Sequence, residues 1–336
     1  MHALPGYEKL ASDVLWDPAY LEFRPPEHIY TLDEFGEHAA GPNAFSPVAV
    51  TTPFRFLSDE GVGILQAVCR ELEAFARGSD RIPKFVRGGV YRSDFLWGLS
   101  TDPALIAWLS ELARAPLEAH PVSHHAVHIN YAPEDLAKNV DQWHADIVSF
   151  DYVLMVSDPR GMKGGRFEYF VGPVEEGKAL LERDGELPPE RVQSPEFPGP
   201  GWAILQQGHR VLHRATRLEE RRERITLVGS FFTPHPEIDD PTASTFSRLR
   251  NVDGNEIALI ETSRYAAVAA ARKLQHFAET KTDFARPLEE VREALHASIA
   301  DVERALAEFE REPGSELYDE LTSRQAVRAG RESGGG

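Results

Sequence analysis

Five short segments in the middle of the chain place the strongest limit on its fold. Residues 122–131, 148–156, 167–171, 202–206 and 225–232 are apolar or β-branched, and turn-forming residues separate them. A succession of short strands without regular helical crossovers is typical of antiparallel architectures. We therefore predict a mainly β protein whose core, within residues 46–240, is an antiparallel sandwich or jelly roll.

The segments around this core predict helices and one long insertion. Residues 1–45 are rich in turn-forming residues and are expected to form an N-terminal arm. One helix is predicted after the N-cap candidate Ser58, and another over 103–112 after Asp102. Residues 173–200 join a charged helical stretch to five prolines. This stretch is too long for a hairpin, so we expect a lid-like or edge-covering insertion.

The C-terminal part of the chain has a different pattern. Residues 257–277 and 288–309 show long helical periodicity, and they predict an antiparallel helical pair within a C-terminal helical extension, 250–325. This pair is expected to pack on the sheet or to mediate association, for which a homodimer is the predicted assembly. Residues 326–336 are expected to be a disordered tail.

Charge and cysteine content limit the class of partner. The chain has 54 acidic and 36 basic residues, a formal net charge of −18, which disfavours binding to nucleic acid. No apolar run approaches the roughly 18 residues that span a bilayer, so no membrane partner is expected. The single cysteine, Cys69, cannot form an internal disulfide, and a cytoplasmic location is therefore expected.

A His-x-Asp motif, His144-Ala145-Asp146, predicts two ligands of one metal ion. On a strand, residues i and i+2 face the same side, so this imidazole and this carboxylate could reach a common point. His209 and His213 both lie where a third ligand could arise. Gly208 indicates that His209 lies in a turn, which favours His213 as the ligand. Two imidazoles and one carboxylate leave coordination positions open, as in non-heme iron sites, although zinc hydrolases use similar ligands.

Arg224 and Thr226 predict a carboxylate-binding position on the last strand. They face the same side of segment 225–232, where a guanidinium and a hydroxyl can converge on one carboxylate. Arg222 is the alternative, but only Arg224 opens the apolar strand with a threonine on the same face. A metal triad followed by this pair implies a co-substrate that chelates the metal at one end and carries a carboxylate at the other.

These residues resemble the motif set of the iron(II)- and 2-oxoglutarate-dependent oxygenases. Residues 127–232 are most similar to the prolyl-4-hydroxylase and phytanoyl-CoA-hydroxylase-like branches. The resemblance implies a double-stranded β-helix, or cupin-like jelly roll, in which His144, Asp146 and His213 bind iron and Arg224 and Thr226 bind 2-oxoglutarate. Tyr131, with Asn130, matches a position that often contributes to the co-substrate pocket.

The resemblance also implies an activity. Fe(II), 2-oxoglutarate and O₂ would support hydroxylation of an unactivated C–H bond, with succinate and CO₂ as products. Asp146 favours hydroxylation, desaturation or cyclisation, because halogenating relatives have a small residue there. We expect a small polar metabolite, amino-acid-like or a natural-product scaffold, as substrate. A protein side chain of the prolyl type is the alternative, and a non-catalytic cupin-like binding protein or a zinc hydrolase is the alternative class.

Other polar residues are weaker candidates. Arg87 and Arg92, in a locally basic stretch with Lys84, could bind a substrate anion or could lie on a surface hairpin. His128 could line the substrate pocket. His124 and His125 alternate with it along the predicted strand, and we interpret all three as structural or pocket-lining residues and not as a second metal site. Asp151 is expected on the opposite face from the metal ligands, in a structural role, and Glu168 is a further possible ligand.

Overall fold

The computed structural model describes residues 4, 6–37, 45–234, 240–244, 246–280 and 288–311. Within these ranges the chain forms fourteen strands and nine α-helices. The strands are β1 Leu21–Arg24, β2 Ile29–Thr31, β3 Val48–Thr51, β4 Phe54–Leu57, β5 Phe85–Arg87, β6 Glu118–Ala119, β7 Val127–Tyr131, β8 Asp141–His144, β9 Phe150–Met155, β10 Phe167–Phe170, β11 Val192–Gln193, β12 Trp202–Gln206, β13 His213–Ala215 and β14 Ile225–Phe232. The helices are α1 Asp59–Leu72, α2 Gly89–Arg92, α3 Asp94–Thr101, α4 Pro103–Ala113, α5 Ser123–Ala126, α6 Val174–Asp184, α7 Phe246–Asp253, α8 Asn255–Thr280 and α9 Leu288–Phe309.

Eight consecutive strands, β7 to β14, form a double-stranded β-helix. The large sheet contains the order β12-β9-β14-β7, and the small sheet has the order β11-β10-β13-β8. Every pairing in the two sheets is antiparallel. The chain crosses between the sheets as it winds, which is the jelly-roll topology. The predicted fold class is confirmed.

Side chains alternate between two environments along the strands of the large sheet. On β7, Val127, Ile129 and Tyr131 lie in the main hydrophobic core with helices α1 to α4. His128 and Asn130, between them, line a cavity that faces the small sheet. Because the strand repeat is two residues, one face of each strand builds the core and the other builds the cavity.

The predicted strands are partly confirmed. Segments 202–206 and 225–232 form β12 and β14 with the expected ends. Segment 122–131 was predicted as one strand, but residues Ser123–Ala126 form a helical turn before β7. Ser123 N and His124 Nδ1 lie 3.0 and 2.8 Å from the Glu261 carboxylate of α8, a long-range contact that the local pattern does not contain.

The insertion at 173–200 covers a sheet edge. It contains α6 and then β11, which pairs with β10 as the outer strand of the small sheet. Val174, Leu181 and Leu187 pack with Trp143, Phe170 and Leu212. No residue of the segment lines the cavity. Of the two expectations, the structure shows the edge-covering element, because Val174, Leu181 and Leu187 pack against the small sheet. The lid-like role of the insertion stays a prediction.

Both predicted N-terminal helices are present, and the first has its predicted cap. Ser58 Oγ accepts a hydrogen bond from Gly61 N at the start of α1. Asp102 caps α4 by accepting from Ala104 N and Leu105 N. Helix α3, just before α4, was not predicted, and its Phe95, Leu96 and Leu99 are fully buried.

Helices α8 and α9 form the predicted C-terminal pair. Lys273 pairs with Asp301 at 3.0 Å, and Arg250, before α8, pairs with Glu308 near the end of α9, so the helices run antiparallel. The expected homodimer through these helices stays a prediction, and the expected tail at 326–336 lies outside the described residues. Among the described helices, none has the length and apolar content to cross a membrane.

Loss of the α4 cap should destabilise the protein and release the N-terminal arm. Asp102 also accepts a hydrogen bond from Trp16 Nε1 at 2.9 Å. We expect Asp102→Ala to lower the free energy of unfolding by about 1 to 2 kcal/mol and to shift the Trp fluorescence of the native state. Asp102→Asn, which keeps an acceptor oxygen, should retain most of the stability. Urea unfolding checks both, and equal stability of Asp102→Ala and wild type would contradict the assigned cap.

Candidate metal centre

Two imidazoles and one carboxylate meet where the small sheet faces the cavity. His144 on β8 and His213 on β13 are directly opposite each other in the antiparallel register, and their ring centroids lie 4.2 Å apart. Asp146 follows the end of β8, and its N–H donates to Gly208 O at 2.9 Å. The expected regular strand through 144–146 is therefore wrong, because the backbone leaves the strand after His144. The chain still brings the three side chains together.

The donor atoms of the three residues fit one metal ion. One ligand atom from each of His144, Asp146 and His213 lies within 4.8 Å of the others. His144 Nδ1 is 2.7 Å from Gln142 O, and His213 Nδ1 is 2.9 Å from Val211 O. A carbonyl can only accept, so each Nδ1 carries hydrogen and each Nε2 is free to bind metal. The two Nε2 atoms lie 3.4 and 3.2 Å from the Asp146 carboxylate oxygens.

The carboxylate and imidazoles are electrostatically coupled. Burial alone would raise the pKa of Asp146, but His213 and His144 hold that pKa well below its usual range. Burial would likewise lower the pKa of His213, but the charge and hydrogen bond of Asp146 raise it to about 9. The carboxylate of Asp146 therefore favours positive charge on the neighbouring imidazoles, and a bound cation could take the place of that proton.

Asp151 lies beside the triad, which corrects the expectation that it faces away. Its side chain is fully buried, and Oδ1 accepts from Gln206 Nε2 at 2.9 Å. Gln206 Nε2 is also 3.2 Å from His213 Nε2. Burial and the neighbouring charge of Asp146 raise the pKa of Asp151 well above its usual range. Asp151 holds the Gln206 amide, and that amide lies within hydrogen-bond distance of His213, so both residues help to position the triad.

Arg224 supplies a buried positive charge to the cavity. It is 1% exposed, its Nε donates to Gly165 O at 2.8 Å, and its Nη1 donates to Thr226 Oγ1 at 3.2 Å. Among the described residues no carboxylate forms an ion pair with it. Burial lowers its pKa to about 10, partly opposed by Asp141. A buried cation without an opposite charge beside it is costly, so this position favours an anionic ligand.

The turn before β10 fixes the position of Arg224. Gly164 and Gly165 have φ of 71° and 63°, in the left-handed region where a side chain is strained. A Cβ on Gly165 would come within 3.0 Å of Arg224 Cδ. Glycine at 165 therefore lets the carbonyl that accepts from Arg224 approach the guanidinium closely.

The cavity includes some predicted substrate and co-substrate residues and leaves others out. Arg87, His128 and Asn130 line it. Arg92 does not, because its guanidinium donates to Gly6 O and Glu8 O and stacks on Phe75 in the N-terminal region. Tyr131 does not either. It points into the helix-covered core, where its hydroxyl donates to Cys69 O at 2.7 Å. The predictions for Arg92 and Tyr131 are wrong.

The remaining candidates lie outside the triad. His209 is in the turn Gly208–Arg210, with its ring 5.5 Å from Phe45, and it is not among the clustered ligands. Arg222 donates to backbone carbonyls at the surface side of the strand. Glu168 pairs with Arg214, and Lys84 pairs with Glu73.

Three polar residues at or beside the cavity were not predicted from the sequence patterns: Arg81, Gln206 and Ser230. The two-residue alternation from Arg224 and Thr226 along β14 already indicates Ser230. Arg81 lies in a loop, where the chain carries no comparable periodic signal. His125 lines the cavity, which agrees with its interpretation as a structural or pocket-lining residue.

Comparisons with known proteins give only weak likenesses. No known family model and no curated protein matches the chain. Among solved structures it is similar to the non-heme α-ketoglutarate-dependent epimerase SnoN from nogalamycin biosynthesis, at 18% identity over 53% of this chain and 75% of that one, with a TM-score of 0.39. A Pseudomonas putida prolyl-4-hydroxylase is 17% identical over 53% and 89%, with a TM-score of 0.32. EctD from S. alaskensis with bound Fe is 17% identical over 66% and 88%, with a TM-score of 0.39. At these values the likenesses carry no weight for function, which depends on the geometry of the site.

A methyl group at Gly208 should weaken metal binding without changing a ligand. A Cβ there would overlap Asp151 Oδ2 and approach Asp146 Cβ to 2.8 Å. We expect Gly208→Ala to lower Fe(II) affinity by about 10- to 100-fold, measured by anaerobic titration. Gly63→Ala on α1, where nothing lies within 4 Å, should bind Fe(II) like wild type. Equal affinity in both variants would contradict a metal at the triad.

Acid should destabilise the fold through its buried histidines. Burial lowers the pKa of His209 to about 4 from an ordinary 6.5, and burial also lowers the pKa values of His120, His125 and His128. The unfolded chain takes up these protons first, so stability is complete above about pH 6.5 and falls towards pH 4.

A single histidine variant tests this pH dependence. His209→Phe should reduce the loss of stability between pH 6.5 and 4 by up to about 3 kcal/mol, measured by urea unfolding at several pH values. His296→Phe, on an exposed position of α9, should keep the wild-type dependence. An identical slope for His209→Phe and wild type would show that His209 titrates normally in the fold.

Proposed function

We propose that this protein is an Fe(II)- and 2-oxoglutarate-dependent oxygenase. His144, Asp146 and His213 would hold iron through two Nε2 atoms and one carboxylate. Arg224 and Thr226 would bind the distal carboxylate of 2-oxoglutarate. Bound iron would supply activation of O₂ and the oxidative decarboxylation of 2-oxoglutarate to succinate and CO₂.

The observation that carries this proposal is the buried charge of Arg224, which lies in the same cavity as the triad and has no ion-pair partner among the described residues. A metal site alone fits a zinc hydrolase or a cupin-like binding protein equally well. Neither class requires a second, anion-binding position within the cavity. A co-substrate with one chelating end and one free carboxylate accounts for both features.

The residues around the site have separate tasks. The carbonyls of Gln142 and Val211 orient the two imidazoles, and Asp151 and Gln206 support Asp146 and His213. Thr226 Oγ1 and Gly165 O hold the guanidinium of Arg224 in one orientation. This preorganisation reduces the loss of freedom when the co-substrate binds.

The reaction we favour is hydroxylation of a small polar metabolite, amino-acid-like or a natural-product scaffold. Support comes from the polar side chains among the cavity's lining residues, such as Arg87, His128 and Asn130. Hydroxylation of a protein side chain is the alternative. The cytoplasmic location stays a prediction.

Arg224 variants provide the direct test of co-substrate binding. Anaerobic addition of Fe(II) and 2-oxoglutarate to the wild-type protein should produce a visible metal-to-ligand charge-transfer band. Arg224→Met should lower the 2-oxoglutarate affinity by at least about 10-fold, because it removes a charge-assisted pair of hydrogen bonds. Its Fe(II) affinity should stay unchanged, since Arg224 is not a ligand.

Arg222→Met is the matched control, because Arg222 lies two residues before Arg224 and its guanidinium donates to the backbone carbonyls of Asp158 and Arg160. It should keep the band and both affinities. Absence of iron or 2-oxoglutarate binding in wild type would end the oxygenase proposal. Binding of both without succinate formation, across panels of metabolites and peptides, would favour the non-catalytic class. A productive substrate should gain one oxygen by mass spectrometry.

A further inference from the structure

The cavity has a second polar wall, beyond the residues assigned to iron and 2-oxoglutarate. Arg87 on β5 is opposite His128 on β7, and His128 is opposite Val228 on β14. His125 lies just before β7, on α5. All four line the cavity. Because Thr226 lies on β14 and Arg224 directly precedes it, this wall lies further along the same stretch of chain, about 7 to 14 Å away by strand rise.

Arg87 determines which nitrogen of His128 carries the proton. Arg87 Nε lies 3.2 Å from His128 Nδ1. A guanidinium N–H can only donate, so Nδ1 accepts and the proton of the neutral ring is on Nε2. Nε2 is buried and has no hydrogen-bond partner among the described residues, and the same is true of His125 Nδ1. Buried polar atoms of this kind call for a ligand.

The electrostatic environment of this wall is positive. Burial, then the charges of Arg87 and Arg81, hold the pKa of His128 well below its usual range; Asn130 and Asp146 oppose this shift less strongly. Burial and then Arg87 hold the pKa of His125 low as well. Both rings are therefore neutral near pH 7. Burial is the main reason that both rings stay neutral, and the nearby guanidinium of Arg87 adds to it. The same guanidinium favours an anion beside the rings.

We propose that His128, His125 and Arg87 form an anchor for a carboxylate of the primary substrate, with His128 Nε2–H as the donor. This inference rests on the proposed function and names the substrate class as carboxylic acids. It separates two anions in one cavity, 2-oxoglutarate at Arg224 and the substrate at His128. A buried donor next to a guanidinium binds a carboxylate more strongly than an ester or amide oxygen.

Asp253 is a positioning residue for this anchor. It ends α7, its side chain is fully buried, and its Oδ2 is 3.3 Å from Arg87 Nη1. It also pairs with Arg77. These contacts fix the guanidinium so that Nε points at His128. Loss of Asp253 should therefore change the orientation of Arg87 and the tautomer of His128 without removing a direct contact to the substrate.

The test uses the full chain loaded with Ni(II) and 2-oxoglutarate, which allows binding without turnover. The probes are a panel of amino acids and hydroxy acids, each paired with its methyl ester, and the readout is the Kd by calorimetry. We expect at least one acid to bind about 10- to 100-fold more tightly than its ester. His128→Leu should abolish this preference, and His128→Gln, which keeps a donor, should restore part of it.

Two further variants separate positioning from general damage. Asp253→Asn should reduce the acid preference and change the ¹⁵N resonances of His128, which report its tautomer. His296→Leu, on the exposed side of α9, should behave like wild type in both measurements. All variants should load Ni(II) and 2-oxoglutarate normally.

The outcomes distinguish this inference from the proposed function. Failure of the wild-type protein to load Ni(II) and 2-oxoglutarate would overturn the proposed function before any substrate is added. Normal loading with esters binding as tightly as acids, or with no acid binding at all, would overturn the anchor alone. If His128→Leu weakens the binding of acids and esters equally, His128 supports Asn130 or the structure of the wall and does not bind a substrate carboxylate. That result would also overturn the anchor.

Discussion

The structure depends on the two-residue alternation of side chains across the large sheet. On β7, Ile129 and Tyr131 pack under the helices, while His128 and Asn130 face the cavity. A register slip of one residue would place the polar row in the core and the apolar row in the cavity. The extended apolar contacts with α1 to α4 therefore do more than stabilise the fold. They fix which residues of each strand are available for chemistry, and the antiparallel register then sets their neighbours.

Sequence reasoning located the parts of the site that short motifs and strand periodicity encode. Segment 225–232 alternates cleanly, and Arg224 and Thr226 lie where that alternation places them. The reasoning failed where a distant residue decides local structure. Asp146 leaves the strand because its N–H bonds to Gly208 O. The two-residue alternation that places Asn130 in the cavity places Tyr131 in the core. The resemblance does not contain this alternation, so its prediction for Tyr131 is wrong.

The cavity is rich in arginine although the chain is strongly acidic. Arg81 pairs with Asp141, Arg87 with Asp253 and Arg214 with Glu168. Among the described cavity residues, Arg224 is the arginine for which no carboxylate provides an ion pair. Compensated guanidinium groups shape and polarise a wall, whereas an uncompensated one at 1% exposure is stable only if a ligand supplies the opposite charge. The overall charge of −18 therefore says little about what this cavity binds.

The two halves of the cavity differ in which part of the chain builds them. The triad and Arg224 are held by strands of the roll and by their own turns. The wall formed by Arg87, His125 and His128 is also positioned by buried carboxylates of the C-terminal extension. Asp253 of α7 contacts Arg87, which contacts His128. Glu261 of α8 contacts Ser123 and His124 in the helical turn that carries His125. Sequence changes in these helices can therefore alter the wall formed by Arg87, His125 and His128 while leaving the triad and Arg224 in place.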